Sequence, residues 1–283
     1  MIRYFAILLL LSMPLGPAHS APVQQQAKID LSHPATDTET NTKQARYVME
    51  RTLDALGGNR YLSITDYKQI GRGYGFYHNE SQGVGLNYWR TFHWPDRERY
   101  DYFFQRDTYQ FIKSKEWAII HIGDRGWEST FRGAREETAK ELEDYNRRRQ
   151  YELDTVLRSW VPDPKTTLFY EGETIEATKE VYKVNLLSPK NLSLSLYVDR
   201  KTFLPIKKTF TYRDPVYKDI QEEADLYDKY RDEQGFMTPH VITRTKNDDI
   251  VSQRFITKWE FDVAYDENKF TPPAINYDKM KKY

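Results

Sequence analysis

The sequence predicts an α+β fold: one strongly curved antiparallel sheet of about a dozen strands, with helices at two places along the chain. Two long regions, residues 67–131 and 167–263, alternate between large and small or polar side chains, which is typical of half-buried strands. Helical three-to-four spacing precedes the first region, and a thinner helical stripe lies between the two regions. Because a single sheet of this length must curl or close to satisfy its twist, the helices are expected to fill its concave side.

The first 20 residues predict a secretory signal peptide. Arg3 is followed by an apolar run from Phe5 to Leu15, and Ala18-His19-Ser20 offers small residues where a signal peptidase reads the chain. Cleavage is expected before Ala21. The alternative, an uncleaved membrane anchor, is weaker because the apolar run is shorter than the ~20 residues needed to span a bilayer.

A polar segment, residues 21–41, lacks periodicity and predicts a flexible tail. The domain itself is expected to span residues 42–283 and to begin with a helix from Thr42 to Leu56, which Gly57-Gly58 ends. The buried face of this helix is predicted to carry Ala45, Val48, Met49, Thr52, Leu53 and Leu56.

Strands follow the helix, and one face of the first predicted strand carries glycines at alternate positions. Between Tyr67 and Tyr77, the residues Gly71, Gly73 and Gly75 alternate with larger ones, which permits either the close approach of a helix or a strongly bent strand. Later alternation predicts strands over residues 84–94, 100–104, 109–112, 117–122 and 126–131.

A charged segment without Pro or Gly separates the two strand regions. Its thin apolar stripe predicts one or two helices between Ala134 and Trp160, ending before Pro162. Strands resume after it, and Leu192 to Val198 gives the clearest alternation of the chain. These later strands are predicted over residues 167–173, 180–187, 191–198, 204–212, 219–230, 236–246 and 250–263.

The composition excludes several classes of function. Lys plus Arg number 42 and Asp plus Glu number 42, so the chain lacks the basic surplus that drives binding to nucleic acid. The sequence contains no Cys, which excludes disulfides, a thiolate nucleophile, Cys-ligated zinc and an acylated N-terminal Cys. Since 15% of the residues are aromatic and the mean hydropathy is −0.81, aromatic rings must carry much of the apolar surface.

The sequence lacks the motifs of catalytic and metal sites. No His stands two or four residues from another, and the Gly-x-Ser-x-Gly and phosphate-loop patterns are absent. The run Gly71-Arg72-Gly73-Tyr74-Gly75 is rich in glycine, but it lies inside a predicted strand and opens no helix, so it does not indicate a dinucleotide site. We therefore expect no enzyme activity, no metal and no cofactor.

Several short motifs stand in the order found in a known family. They are Leu56-Gly57-Gly58 at the end of the first helix, the strand start Trp94–Tyr100 with its Pro, the turn Gly123–Trp127, the hairpins Asp199–Pro205 and Asp225–His240, and the terminal Phe270–Pro273. In this order they resemble the periplasmic lipoprotein carrier LolA and its relatives, the outer membrane lipoprotein-sorting proteins. The resemblance spans residues 43–274.

The resemblance implies both a fold and a function. The family fold is an incomplete β-barrel whose helices form a lid over a hydrophobic cavity, which takes acyl chains in the lipoprotein carrier. By resemblance, this chain is a periplasmic carrier or chaperone that binds a lipid, a lipoprotein or another apolar ligand as a monomer and meets an inner- or outer-membrane transport complex. One departure is that Trp94 stands where the carrier has a buried basic residue before the Pro, so the same gating of the lid does not follow.

The candidate ligand-binding residues are rings at alternate positions of the first strands, with two tryptophans: Tyr74, Phe76, Tyr88, Phe92, Tyr100, Tyr102, Phe104, Trp127 and Trp160. Each of these rings also fits a role in filling the core. An alternative function is a non-catalytic envelope protein that docks onto an export or assembly complex without a ligand, and a sealed interior would favour it. A third idea, an outer-membrane barrel suggested by Tyr283, is opposed by the adjacent Lys281 and Lys282.

Overall fold

The computed structural model describes residues 29–103, 117–130 and 133–275. Its helices are α1 (Thr38–Leu56), α2 (Asn59–Ser63), α3 (Ala139–Gln150) and α4 (Leu153–Thr155), with a π-helical turn at Val156–Trp160 and a 3-10 turn at Glu267–Phe270. The first strands are β1 (Asp66–Tyr77), β2 (Glu80–Ser81), β3 (Leu86–His93), β4 (Arg97–Phe103), β5 (Trp117–Ile122), β6 (Arg125–Thr130) and β7 (Gly133–Glu136). The later strands are β8 (Thr167–Glu176), β9 (Lys179–Leu187), β10 (Ser193–Asp199), β11 (Pro205–Arg213), β12 (Ile220–Asp228), β13 (Arg231–Glu233), β14 (Phe236–Thr238), β15 (Val241–Lys246) and β16 (Asp249–Phe261).

Within these residues one antiparallel sheet of 14 strands dominates the fold. Its order is β7-β6-β5-β4-β3-β1-β16-β15-β12-β11-β10-β9-β8, with β2 paired to β1 and a separate β13–β14 hairpin. The last strand returns to pair with the first, so β7 and β8 form the two free ends and the sheet does not close into a barrel. The predicted α+β fold with one incomplete barrel is confirmed. The predicted signal peptide and the strand at 109–112 lie outside the described residues.

The segment that connects the two ends of the sheet is helical, and we call residues 139–160, which comprise α3, α4 and the π-helical turn, the helical cover. The prediction that helix begins at Ala134 is wrong, because Gly133–Glu136 forms the edge strand β7. The start of α3 is fixed instead by a capping box. The Thr138 hydroxyl accepts from the backbone N–H of Glu141, and the Glu141 carboxylate accepts from the backbone N–H of Thr138.

Helix α1 begins earlier than predicted, so part of the predicted tail is ordered. The helix begins at Thr38, four residues before the expected start at Thr42. Asp37 caps it, because the Asp37 carboxylate accepts from the backbone N–H of Thr40 at 2.8 Å. The preceding segment is held by Gln44, whose side-chain amide donates to the carbonyls of Asp30 and His33. These contacts run from side chain to backbone and leave no periodic pattern in the sequence.

One hydrophobic core joins α1 to the later strands and to the helical cover. Its buried members include Val48 and Met49 of α1, Leu168 of β8, Leu196 of β10 and Leu157 of the cover. At the free edge, Asn41 satisfies the backbone of Tyr170: its Oδ1 accepts from the N–H at 2.8 Å and its Nδ2 donates to the carbonyl at 2.9 Å. Helix α1 therefore covers the β8 edge as well as the face beside it.

The glycines of β1 make room for the ring of Tyr88 and accompany a bulge in the strand. A Cβ at Gly71 would lie 2.4 Å from the carbonyl oxygen of Phe255 and 3.0 Å from the hydroxyl of Tyr88, so neither neighbour leaves room for a side chain. The register with β16 shifts between Ile70 and Gly71, which places a bulge there. In the described part of the chain, no helix is long and apolar enough to cross a membrane.

Candidate functional site

Strand register divides the side chains between two faces of the sheet, and we call the face covered by α1 and the helical cover the inner face. Tyr67 pairs with Phe92, which pairs with Glu98, and Tyr88 pairs with Tyr102. Because directly paired residues point to the same side, these five side chains share one face. Arg90 belongs to the same alternating series and contacts the helical cover, which identifies that face as the inner one.

Tyrosine rings form a cluster on the inner face of the first strands. The ring centroid of Tyr88 lies 6.0 Å from that of Tyr100 and 6.4 Å from that of Tyr102, and Tyr102 stacks on Trp117 at 4.8 Å. The hydroxyl of Tyr88 donates to Gln69 Oε1 at 2.8 Å. Burial raises the pKa of the phenols of Tyr88, Tyr100 and Tyr102, so these rings are neutral and present an amphipathic surface.

A buried ion-pair network binds the helical cover to the first strands. The guanidinium of Arg90 donates to Glu98 on the neighbouring strand and to Glu152 of the cover, the latter at 3.0 Å. Arg149 contacts the same Glu152 carboxylate at 3.1 Å and donates to the carbonyl of Pro95 at 2.8 Å. Burial alone would raise the pKa of Glu152, but the charges of Arg90 and Arg149 lower it to about 2.

A second charged cluster lies on the later strands beneath the cover. Asp225 pairs with Lys208 at 3.0 Å and with Arg244 at 2.8 Å, and Lys208 also donates to the backbone carbonyl of Tyr151. Burial opposes ionisation of Asp225, but the charges of Arg244 and Lys208 outweigh it and hold the pKa of this carboxyl well below its usual range. Lys208 thus contacts both a carboxylate of the sheet and the backbone of the cover.

Stacked rings complete the attachment of the cover. The ring of Tyr145 lies parallel to that of His121 at 3.4 Å, and the ring of Tyr151 lies parallel to that of Phe210 at 3.9 Å. Helix α3 itself contains no buried residue. The cover is therefore held at its α3 end by ion pairs and rings, whereas its π-helical turn enters the hydrophobic core through Leu157.

Two cavities accompany the cover. The inner cavity, about 80 Å³, lies between the inner face, α2 and α4, and its charged lining comprises Arg90, Arg158, Lys208, Arg244, Arg254, Glu152, Asp154 and Asp225. The side cleft, about 400 Å³, is open to solvent and is lined mainly by Leu53, Leu62, Trp94, Leu157, Val161 and Pro162, with Arg46, Glu50 and Arg158. Ligand sites usually measure roughly 300–1,000 Å³, so of these two cavities the side cleft reaches that size.

The structure brings together four of the predicted ligand residues. Tyr88, Phe92, Tyr100 and Tyr102 share the inner face. Tyr74 and Phe76 lie on the opposite face, because the inner positions of β1 are taken by its glycines and by Gln69. Trp127 pairs with Ile120, which places Trp127 on the same outer face. Trp160 is buried in the core, where its ring centroid lies 5.6 Å from that of Tyr151. Phe104 lies outside the described residues.

Sequence reasoning missed the buried charges. Arg90 occupies an inward position in the alternating series of β3, and Lys208 occupies one in β11 between Ile206 and Phe210. A charged residue at a position that alternation assigns to the interior is the signal that could have found them. Asp225 is the cross-strand neighbour of Lys208 on β12, so that pair depends only on the strand register. Glu152 lies 62 residues from Arg90, so their pairing could not be read from spacing.

A solved structure with the same architecture identifies the fold. An outer membrane lipoprotein-sorting protein domain from Vibrio parahaemolyticus matches with a TM-score of 0.53 at 11% sequence identity, and the match covers 82% of this chain and 97% of that domain. The chain has the fold of that lipoprotein-sorting domain. The resemblance inferred from the sequence motifs is thereby confirmed for the fold.

Two further structures of similar extent match this fold. A DUF1329 family protein from Desulfovibrio piger has a TM-score of 0.47 at 11% identity, covering 81% of this chain and 97% of that protein. A LolA superfamily protein from Nitrosomonas europaea has a TM-score of 0.45 at 11% identity, covering 80% of this chain and 97% of that protein. No family model matches the chain, and no curated protein matches its sequence.

Proposed function

We propose that the protein is a non-catalytic periplasmic carrier that holds a lipidated or otherwise apolar ligand on the inner face of its sheet, beneath the helical cover. The observation that carries this proposal is the attachment of α3, which buries no residue and is held by ion pairs and stacked rings. Detaching it would uncover the tyrosine cluster and Phe92 without breaking the core beneath α1. The lipoprotein-sorting fold supports the same role.

Opening is required because the closed interior is nearly full. The inner cavity of about 80 Å³ is far below the volume of known ligand sites. The side cleft offers the natural point of access, since it lies where α1 meets the cover and shares Arg158 with the inner cavity. An apolar chain that enters there would displace the cover from the inner face.

The energetics are adequate for a carrier that must also release its ligand. Each buried methylene of an acyl chain contributes about 0.8 kcal/mol, so ten of them contribute roughly 8 kcal/mol before the costs of binding. Part of that energy is spent on separating the cover, which leaves binding weak enough to be reversed. Transfer to a membrane, or to an inner- or outer-membrane transport complex, then needs only a better apolar site.

A second candidate function is an envelope protein that docks onto an export or assembly complex and carries no ligand. The observation that favours it is the well-filled interior, where the inner cavity beneath the cover measures about 80 Å³. In that case the ion-pair network would be a permanent part of the core.

Uptake of a fluorescent fatty acid, cis-parinaric acid, separates the two candidates. Glu152→Gln removes the carboxylate that joins Arg90 of the sheet to the cover, and Glu143→Gln is a matched control on the exposed side of α3. A carrier should take up the probe, and Glu152→Gln should take it up at least tenfold faster, because each 1.4 kcal/mol or so of docking energy that is lost corresponds to a factor of ten. Glu143→Gln should behave like the wild type. No uptake by any of the three would favour the docking protein.

A further inference from the structure

One cation on the inner face forms no ion pair among the described residues. Arg254 of β16 lies opposite Gly73 of β1, and its Nη1 donates to the hydroxyl of Tyr100 at 3.1 Å. Its guanidinium lies among the phenols of Tyr100 and Tyr88, and the cations Arg90 and Arg244 lie nearby. A Cβ at Gly73 would lie 3.8 Å from Cδ1 of Tyr88, so the ring of Tyr88 packs over this glycine beside Arg254.

Every carboxylate that lines the inner cavity is already engaged by other groups. Asp225 is shared by Lys208 and Arg244, as described above, and Glu152 is shared by Arg90 and Arg149. Asp154 accepts from two phenols, the hydroxyl of Tyr61 at 2.8 Å and that of Tyr67 at 3.1 Å. Five basic and three acidic side chains line the cavity, so its lining carries a positive surplus.

An unpaired charge in such a place is costly unless something neutralises it. Removing a charge from water without a partner carries a large penalty, which a ligand anion would relieve. The inner cavity of about 80 Å³ has room for a small group such as a carboxylate or a phosphate, and it is much smaller than sites that take a whole ligand, at roughly 300–1,000 Å³.

We propose that the inner cavity binds a carboxylate or phosphate group carried by the ligand, with Arg254 as the direct contact and Arg244 and Lys208 beside it. Tyr100 acts as a positioning residue, because its hydroxyl holds the Arg254 guanidinium against the sheet. The inference rests on the proposed carrier function and narrows its ligand to an anionic amphiphile, with the apolar chain on the tyrosine cluster. A neutral lipid would leave Arg254 unpaired.

The first experiment compares cis-parinaric acid with its uncharged methyl ester on the full chain, above the pKa of the acid. The wild type should bind the acid about tenfold more tightly, which is the effect of one charge-assisted hydrogen bond. Arg254→Gln should bind the two probes equally. Arg213→Gln, an exposed arginine on the outer face, should keep the preference.

Thermal melting separates this role from a structural one. Arg254→Gln removes a half-buried cation that forms no ion pair among the described residues, so its melting temperature should stay close to that of the wild type. Inorganic phosphate at constant ionic strength should raise the melting temperature of the wild type, because ligands of the native state stabilise it, and should leave Arg254→Gln unchanged. A strongly destabilised Arg254→Gln, with no phosphate effect on the wild type, would assign the residue to folding and overturn the proposal.

The outcomes distinguish the anion site from the carrier function. Equal binding of acid and ester by the wild type would overturn the anion site and leave the carrier in place. If neither probe binds, the carrier function fails, and the phosphate measurement decides alone: a shift that Arg254→Gln abolishes upholds a site for free phosphate, and the absence of a shift overturns it.

Discussion

Helices α1 and α3 lie over the same face of one sheet, yet they are attached by different physical means. The face that α1 turns to the sheet is apolar or neutral and fully buried, with Ala45, Val48, Met49 and Thr52 all at 0% exposure. Helix α3 buries no residue and contacts the sheet through Arg147 and Tyr145. Helix α1 is thus part of the core, whereas α3, the first part of the helical cover, rests on charges and rings.

The difference teaches how one sheet can be both stable and accessible. Apolar burial is lost only with the fold, because exposing the core costs about 25 cal/mol per Å². Ion pairs and ring stacks can be exchanged for water or for a ligand at a much smaller net cost, since water solvates the separated charges. We therefore expect α3 to separate from the sheet while α1, the π-helical turn and the sheet remain folded.

The largest expected effect comes from truncating the core side of α1. Met49→Ala should lower the free energy of unfolding by about 2–5 kcal/mol, because it leaves a cavity among fully buried side chains. Leu142→Ala, at a partly exposed position of α3, should cost less than about 1 kcal/mol. Denaturant titrations of both variants measure this, and equal losses would show that α3 is as firmly packed as α1.

The next effect is a dependence on pH that belongs to the cover. Glu152 has a pKa of about 2 with the cover in place, against an ordinary value of 4.5, so its ionised form stabilises the closed state. That contribution is complete above about pH 4.5 and is lost as the pH falls towards 2. Between these limits the wild type should lose up to about 3 kcal/mol relative to Glu152→Gln. Denaturant titrations of both proteins at several pH values measure this. If the free energies of unfolding of the two proteins fall in parallel with pH, an ion pair of Glu152 does not hold the cover.

A smaller effect is expected where α1 covers the edge of the sheet. Asn41→Ala leaves the backbone N–H and carbonyl of Tyr170 without their partner, which should cost about 1–3 kcal/mol. Asn59→Ala, at an exposed position of α2, is the control and should fall within about 0.5 kcal/mol of the wild type. If the two variants are equally stable, the edge contact contributes nothing to folding.

The sequence predicted the fold more fully than the site, and particular residues explain why. Alternation in β3 and β10 and the spacing of Val48 and Met49 are local signals, and they placed strands and helix correctly. The faces of β1 were not predictable, because its glycines occupy the inner positions and its rings, Tyr74 and Phe76, the outer ones. The partnership of Arg90 with Glu152 joins residues 62 apart, so only the folded chain reveals it.

Amide hydrogen exchange on the full chain, with and without cis-parinaric acid, tests the central claim most directly. The amides of α3 should exchange much faster than those of α1 in the free protein, because the cover opens by itself whereas α1 opens only with the fold. Adding the fatty acid should change exchange in the cover and in β3 and β4, where the tyrosine cluster lies, and should leave α1 unaffected. Protection of α3 equal to that of α1, unchanged by the fatty acid, would contradict a cover that opens to admit a ligand.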